Sequence, residues 1–312
     1  MEKNKISVIV PTYRRPDSLK KCLHGLKDQQ RKADEIIIIV RDSDVETWNF
    51  LNKFDADSLG LKTVKVSVQG VIAALNKGIE AAGGDIISFT DDDAVPQSDW
   101  LELIEKEFEK DVKIGAVGGK DNVYKNNLLL KGKKKTVGKL QFFGRQIGNH
   151  HLGFGKARKV DFLKGVNMSF RSDAIKNLYL GTNLAGTGAQ VHWELAFCLE
   201  IKKRGWTLIY DPNLKVDHYD AKRFDEDQRG VFNASAWANA VHNESYILFK
   251  YLNPVQRWIF LVWVSLIGTR ANFGMFQWLR LFPFEGKLAT KKWLASIEGR
   301  KKGWNTWREH RK

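Results

Sequence analysis

Two short runs of this chain are apolar almost from end to end, Ile6-Ser-Val-Ile-Val10 and Glu35-Ile-Ile-Ile-Ile-Val40, and Asp85-Ile-Ile-Ser-Phe-Thr90 reads as a further strand. A strand with one wet face alternates apolar and polar residues. These runs do not, so both their faces must be covered, as in a parallel sheet with helices on each side. Between the runs the period is helical. Leu19, Cys22, Leu23 and Leu26 fall at i, i+3, i+4 and i+7 behind Pro16, a residue suited to a first turn. Residues 45–54 read as a short helix, 63–68 as a strand, and 70–82 as a helix stopped by Gly83-Gly84. The order β-α-β-α-β-α-β, with right-handed crossovers, predicts a doubly wound, mostly parallel α/β sheet whose ligand site lies beyond the carboxyl ends of its strands.

Beyond residue 120 the pattern weakens. Residues 121–164 are rich in Lys and Gly without periodicity and read as a long, partly mobile loop or an excursion over the sheet. Order is expected again at 165–170, in a helix from about His192 to Arg204 ended by Gly205, and in a strand over 207–210 with a segment reaching His218. Residues 225–250 look helical, and 255–284 are dominated by Trp, Phe, Leu, Ile and Val. The chain is therefore divided into 1–220 and a C-terminal helical region, 221–312.

The formal charge of +15 calls for an anionic partner: nucleic acid, a membrane surface or a phosphorylated substrate. It is concentrated in two places. Residues 120–164 carry twelve Lys/Arg against two acids and residues 287–312 nine against two, which leaves the rest close to neutral. Two cysteines, Cys22 and Cys198, each in an apolar helical pattern, exclude a disulfide-stapled module and are expected as buried small hydrophobes in a reducing compartment. The N-terminus lacks an apolar stretch of signal-peptide kind, so a cytoplasmic start is expected. His150, His151 and His242 show no partner spacing for zinc and read as surface or loop residues.

The chemistry is concentrated at Asp91-Asp92-Asp93, three carboxylates directly after an apolar strand. Their repulsion is relieved by a divalent cation, and hard oxygen ligands there suit Mg²⁺ or Mn²⁺. The alternative is the acidic first turn of a following helix.

With these motifs in this order, residues 5–220 resemble the family 2 inverting glycosyltransferases of bacterial cell-envelope and polysaccharide type, which have a GT-A nucleotide-sugar-binding fold. Ile6 to Arg14 is similar to the family's first strand and nucleoside loop, which implies Pro11, Thr12, Tyr13 and Arg14 around the nucleoside. Asp42 matches an acid that bonds the base. Gly70 to Gly78 is similar to a glycine-led helix ending in Arg-Asn-x-Gly, which implies donor contacts from Asn76 and Lys77; Leu75 replaces the usual Arg. Asp91 and Asp93 match the DxD metal pair, with Asp92 beside them. His218, in a Val-x-His-like segment, is a third metal or diphosphate contact, or else a structural hydrogen-bonding residue. Gly165, Asn167 and Trp193 fall where the acceptor and sugar pocket is lined. Counting back from Gly205 places Glu194 at the position of the acceptor base. The competing reading is a first-turn Glu favoured by the helix dipole, with His192 as second candidate for the base.

The resemblance implies a metal-dependent transfer from a UDP-, GDP- or dTDP-linked sugar to a glycan or lipid-linked acceptor. At the C-terminus twelve uncharged residues, 258–269, stop at Arg270, short of the roughly 20 apolar residues a span needs. Helices lying in an anionic membrane interface on the cytoplasmic face are expected instead, peripheral or monotopic, with Trp258, Trp263, Phe273, Phe276 and Trp278 at headgroup level and the basic tail, with Trp293, Trp304 and Trp307, beside them. A buried helical pair is the alternative. Two other functions fit parts of the sequence. A nucleotidyltransferase should show a Gly-rich phosphate loop, where this chain has Pro-Thr-Tyr-Arg-Arg. A nucleic-acid binder should show a recognised module, and none appears, so nucleic acid is not an expected partner.

Overall fold

The computed structural model describes residues 3–54, 59–181, 183–228 and 230–311. The chain forms two units. One comprises residues 1–139, 147–180 and 197–221, the other 140–146, 181–196 and 222–312. The second thus gathers two short segments from between those of the first as well as everything after Ala221.

In the first unit the apolar runs become strands. β1 (Ile6–Thr12), β2 (Glu35–Arg41), β3 (Leu61–Val66) and β4 (Ile86–Thr90) lie in the order β3-β2-β1-β4, all parallel. They are joined through α1 (Pro16–Lys27), α2 (Val45–Leu51) and α3 (Val71–Ala81). Both faces are covered. Val8, Val10, Ile36 and Ile38 pack with Leu19, Leu23 and Leu26 of α1 and with Trp100 and Ile104 of α4 (Trp100–Glu109). On the opposite face α3 approaches so closely that a Cβ on Gly78 would stand 2.5 Å from Ile9 Cγ2. Each fully buried Ile, Val or Leu contributes roughly 1.5–3 kcal/mol of transfer free energy, which makes this double cover the main source of the sheet's stability. Cys22 and Cys198 are both buried, and Cys198 Sγ accepts from Leu163 N at 3.4 Å.

After β4 come β5 (Ala94–Pro96), α4 and β6 (Ile114–Lys125), then the two-residue strands β7 (Leu128–Leu129), β8 (Lys139–Leu140), β9 (Gln146–Ile147) and β10 (Arg158–Lys159). β11 (Asn167–Arg171) runs antiparallel between β4 and β6 and leads into α5 (Ser172–Ile175). After α6 (Trp193–Lys203), β12 (Thr207–Tyr219) pairs parallel with β6 and antiparallel with β5 and β10. Of the two readings of 121–164, the loop gives way to a segment with strands and buried side chains. Val137, Val160, Phe162 and Leu163 are buried, and β6 continues to Lys125 because β12, some 90 residues later, supplies its partner. His150 is also buried rather than superficial: its Nε2 lies 3.2 Å from Phe162 O, and Tyr210 Oη donates to its carbonyl at 2.7 Å.

The second unit is helical: α7 (Ala234–Tyr251), α8 (Pro254–Leu266), α9 (Met275–Glu285) and α10 (Lys287–Glu309). Asn233 caps α7, and Asn253 with Gln256 forms a capping box on α8 behind a first-turn proline. α7 and α10 approach through Gly299 and Gly303, where a Cβ would come within 2.5 Å of Ala238 O and 2.7 Å of His242 O. A buried polar chain ties the helices further. Glu244 accepts from Gln146 at 2.8 Å and from Asn272 at 2.7 Å, and Arg300 donates to Asn272 Oδ1 at 2.6 Å and Phe273 O at 2.9 Å. His242, expected at the surface, is buried between Asn243 and Thr306.

The basic tail is therefore a packed helix, and several aromatic side chains expected at headgroup level turn inward. Phe273 is buried, Trp278 stacks on Trp293 at 4.7 Å, Trp304 meets Phe249 at 5.0 Å, and Trp307 is buried. The cause is the α7–α10 contact, which rotates the tryptophan edge of α10 into the unit. Other positions stay outside: Trp258, Val262, Phe276, Leu279, Phe282 and Phe284 are exposed, and α9 buries no residue. Among the described residues no helix is long and apolar enough to cross a membrane.

Candidate active site

β1 and β4 run side by side, Ile9 beside Phe89, so their carboxyl ends deliver Thr12 and the Asp91-Asp92-Asp93 run to the same sheet edge. Past Thr90 the chain turns, Ala94 N donating to Asp91 O at 3.1 Å, and re-enters the sheet as β5 with Ala94 opposite His218 of β12. Tyr219 N donates to Asp93 O at 2.8 Å, which fixes the acidic turn to the strand carrying the histidine. One ligand atom each from Asp91, Asp93 and His218 lies within 4.8 Å of the others.

The middle carboxylate has a different task. Asp92 is fully buried, accepts from Thr12 Oγ1 at 2.7 Å and pairs with Arg15 at 2.7 Å; Arg15 reaches on to Asp93 at 3.3 Å. Burial pushes the Asp92 carboxyl up to about 7 against the pull of Arg15 and Thr12, and burial with repulsion from Asp93 raises Asp91. Three crowded carboxylates thus stay ionised only with positive charge beside them, which a dication would supply.

His218 sits between two acids, Nε2 3.4 Å from Asp93 and Nδ1 3.7 Å from Asp121. Burial alone would lower its pKa, but Asp121 and Asp93 hold it at about 9. Burial would likewise raise Asp121, yet His218 and the contacting Lys164 hold it at about 2. Both ring nitrogens of His218 are buried without a hydrogen bond in proper geometry among the described residues. One imidazole nitrogen and two carboxylates form a mixed N,O donor set, which fits Mn²⁺ or Mg²⁺ with oxygen ligands completing the shell.

Around the first strand's end, Tyr13 lies under the Arg41 guanidinium at 4.8 Å, and Pro11 ends the strand half-buried. Arg14 adopts a left-handed φ of 57°, its N–H donating to Asp44 at 2.5 Å, and this turn sends Arg14 outward and Arg15 toward the acids. Asp44 is buried and also caps α2 through Thr47 N. Asp42 is exposed. Asn76 spends its amide on Leu180, accepting from its N at 2.9 Å and donating to its O at 3.2 Å, while exposed Lys77 pairs with Glu80 at 2.7 Å. Both serve α3 and the segment it holds. Leu75 is buried, which explains how the helix dispenses with a charge there.

Asn167, expected in the acceptor pocket, is buried. It accepts from Trp100 Nε1 at 2.9 Å and donates to Leu214 O at 3.0 Å and Lys120 O at 3.3 Å, so both amide hydrogens are used. Trp193, Glu194 and His192 stand at the start of α6 in the second unit. His192 has φ 75° and its carbonyl accepts from Leu195 N and Ala196 N; Trp193 is buried and Glu194 is half-buried in the first turn. A cavity of about 550 Å³ in that unit is bordered by Gln190, His192, Phe232, Trp237, Asn239 and Lys292.

Sequence reasoning missed Arg15, Asp121 and Lys164. Arg15 was legible only as half of an Arg-Arg pair whose turn decides which member points inward. Asp121 and Lys164 were hidden in a segment read as loop.

A twisted α/β sheet of this strand order, with an acidic pair and a histidine converging beyond β4, defines the GT-A class of sugar-transferring folds. The description Glycosyl transferase family 2 matches residues 7–178, more than half of the chain. The chain belongs to that family and is a glycosyltransferase. It is 28% identical over 229 residues to the glucosyl-dolichyl phosphate glucuronosyltransferase of Haloferax volcanii, covering 69% of each protein. To the poly-beta-1,6-N-acetyl-D-glucosamine synthase of Staphylococcus epidermidis it is 27% identical over 202 residues, covering 63% of this chain and 47% of the synthase, so it spans about half that relative's length. Among solved structures, the mannosyltransferase PcManGT of Pyrobaculum calidifontis, in complex with GDP-Man and Mn²⁺, superposes with a TM-score of 0.60 at 17% identity, covering 97% of this chain and 88% of that one. The S. aureus TarS 1–349 complex with UDP-GlcNAc gives 0.55 at 13% identity, covering 98% and 92%.

Proposed function

We propose that this glycosyltransferase is metal-dependent and inverting, and that it moves a sugar from a nucleoside-diphosphate donor to a lipid-linked or cell-envelope glycan. The observation that carries this reading is the convergence of Asp91, Asp93 and His218 within 4.8 Å at the carboxyl edge of the sheet. A bound Mn²⁺ or Mg²⁺ supplies positive charge for the departing diphosphate. Thr12 and Arg15 hold Asp92, which keeps the flanking pair aimed at one point. Tyr13 on Arg41 offers a flat, cation-backed surface for a nucleoside. Glu194, by its place in the family motif, takes the acceptor proton as the acceptor oxygen attacks the anomeric carbon and the bond to the diphosphate breaks. The sugar inverts in a single displacement.

Peripheral attachment to a membrane is part of this reading. Its support is the exposed apolar face of α8 and α9 beside the basic positions Arg270, Arg280, Lys287 and Lys291. The match to a dolichyl phosphate-linked transferase points the same way for the acceptor.

The test of the proton acceptor is Glu194→Gln. Turnover of the accepted donor sugar should fall about a hundredfold or more, with donor affinity within twofold of the parent. An unchanged rate would move the base to His192 or elsewhere.

A further inference from the structure

The β6–β7 hairpin of the first unit joins a tight turn to an apolar and basic tip. Its turn residues Asn126 and Asn127 have φ 49° and 61°, the two-residue left-handed turn that matches strand twist, and Tyr124 pairs with Leu129 and Lys125 with Leu128. The returning strand then presents Leu128, Leu129 and Leu130 to solvent, 73%, 38% and 39% exposed. Directly after them stand Lys131, Lys133, Lys134 and Lys135. All residues from Lys125 to Thr136 are exposed, and the segment holds five lysines and no acid. The hairpin is nevertheless fixed. Leu130 N donates to Val123 O at 2.9 Å, Lys134 N donates to Leu152 O at 2.8 Å, and Tyr124 at its base stacks on Tyr219 at 4.9 Å.

Three adjacent leucines held out on a rigid two-stranded tip do nothing for the fold. A basic patch alone would fit nucleic acid or an acidic protein, but neither gives three leucines an apolar place to go. An anionic lipid surface answers both halves at once: the leucines enter the acyl boundary while the lysines behind them meet phosphate headgroups. We propose that the β6–β7 hairpin is a membrane-contacting element of the catalytic unit, selective for anionic bilayers and separate from the face of α8 and α9. This contact does not depend on how the helical unit behaves.

The experiment reads the hairpin itself. Because Cys22 and Cys198 are buried, Leu129→Cys in the full chain can be labelled with an environment-sensitive fluorophore and mixed with vesicles of phosphatidylcholine alone or with 30% phosphatidylglycerol as the probe. The proposal expects a blue shift and quenching by spin-labelled acyl chains on the anionic vesicles, at least fivefold weaker on neutral ones. The changes should be lost when Lys131, Lys133, Lys134 and Lys135 are all replaced by Gln. Leu128→Ser with Leu130→Ser should lower anionic-vesicle partition severalfold with the melting temperature unchanged. Protein that floats with anionic vesicles while the label at 129 stays in water would overturn the proposal and leave attachment to α8 and α9. A label that responds to RNA or to an acidic polypeptide and not to vesicles would overturn it as well, as would failure to bind vesicles at all.

Discussion

At the level of single side chains, the site works by opposed charges held in a dry edge. Asp91 and Asp93 crowd one edge, and positive charge offsets their repulsion: Arg15 and His218 lie against Asp93, and both act with Lys164 on Asp91 through space. Replacing Asp93 by Asn keeps the shape and removes a ligand, so metal-stimulated sugar transfer should drop at least about a hundredfold while the fold persists by circular dichroism. Arg15→Ala leaves Asp92 buried without its ion pair; a loss of about 3 kcal/mol or more in denaturant unfolding is expected. His150 gives a separate stability effect. Burial holds it neutral, lowering its pKa to about 4. Below the unfolded value near 6.5 the unfolded chain takes up a proton that the folded chain refuses, so stability is complete above about pH 6.5 and falls as pH drops toward 4, by up to about 3 kcal/mol. His150→Gln, which keeps a donor for Phe162 O, should flatten that slope in melts between pH 7 and pH 4.5.

At the level of elements, the close approach of α7 and α10 is the joint most open to test. Gly299→Ala would put a methyl 2.5 Å from Ala238 O, a backbone atom that cannot step aside, and should cost about 1–3 kcal/mol in thermal or denaturant unfolding. An unchanged melting temperature would mean that the helices stand further apart. The same joint shows what sequence could and could not foretell. The strands β1, β2 and β4 and the acidic run were legible because their signals are local: apolar runs of strand length, glycine stops, three acids at a strand end. The tail was read as a charged segment beside a lipid face because a small residue every fourth position means nothing until the partner helix is known. β6 was lost for the same reason, since its ladder is made with β12. Asn76 and Asn167 carried the right motif, but a motif does not reveal that Leu180 or Trp100 will use the amide.

At the level of the molecule, the net charge of +15 separates into parts with different neighbours. The lysines of the β6–β7 hairpin stand beside exposed leucines, and those of α10 lie on a helix whose tryptophans turn inward. The acidic edge beyond β4 holds the buried Asp92 and Asp93. Phe276→Ser with Phe284→Ser on α9, which buries nothing, should reduce cosedimentation with anionic vesicles without lowering stability.

The central claim is that Asp91, Asp93 and His218 hold a divalent cation that in turn holds a nucleotide sugar. The direct measurement is calorimetric titration of the full chain with UDP-, GDP- and dTDP-sugars, with Mn²⁺ present and after chelation, in the parent and in Asp93→Asn. One donor class should bind the parent with Mn²⁺, lose at least tenfold in affinity on chelation, and bind Asp93→Asn equally weakly with or without the ion. Binding of the same strength in all of these conditions would contradict the claim.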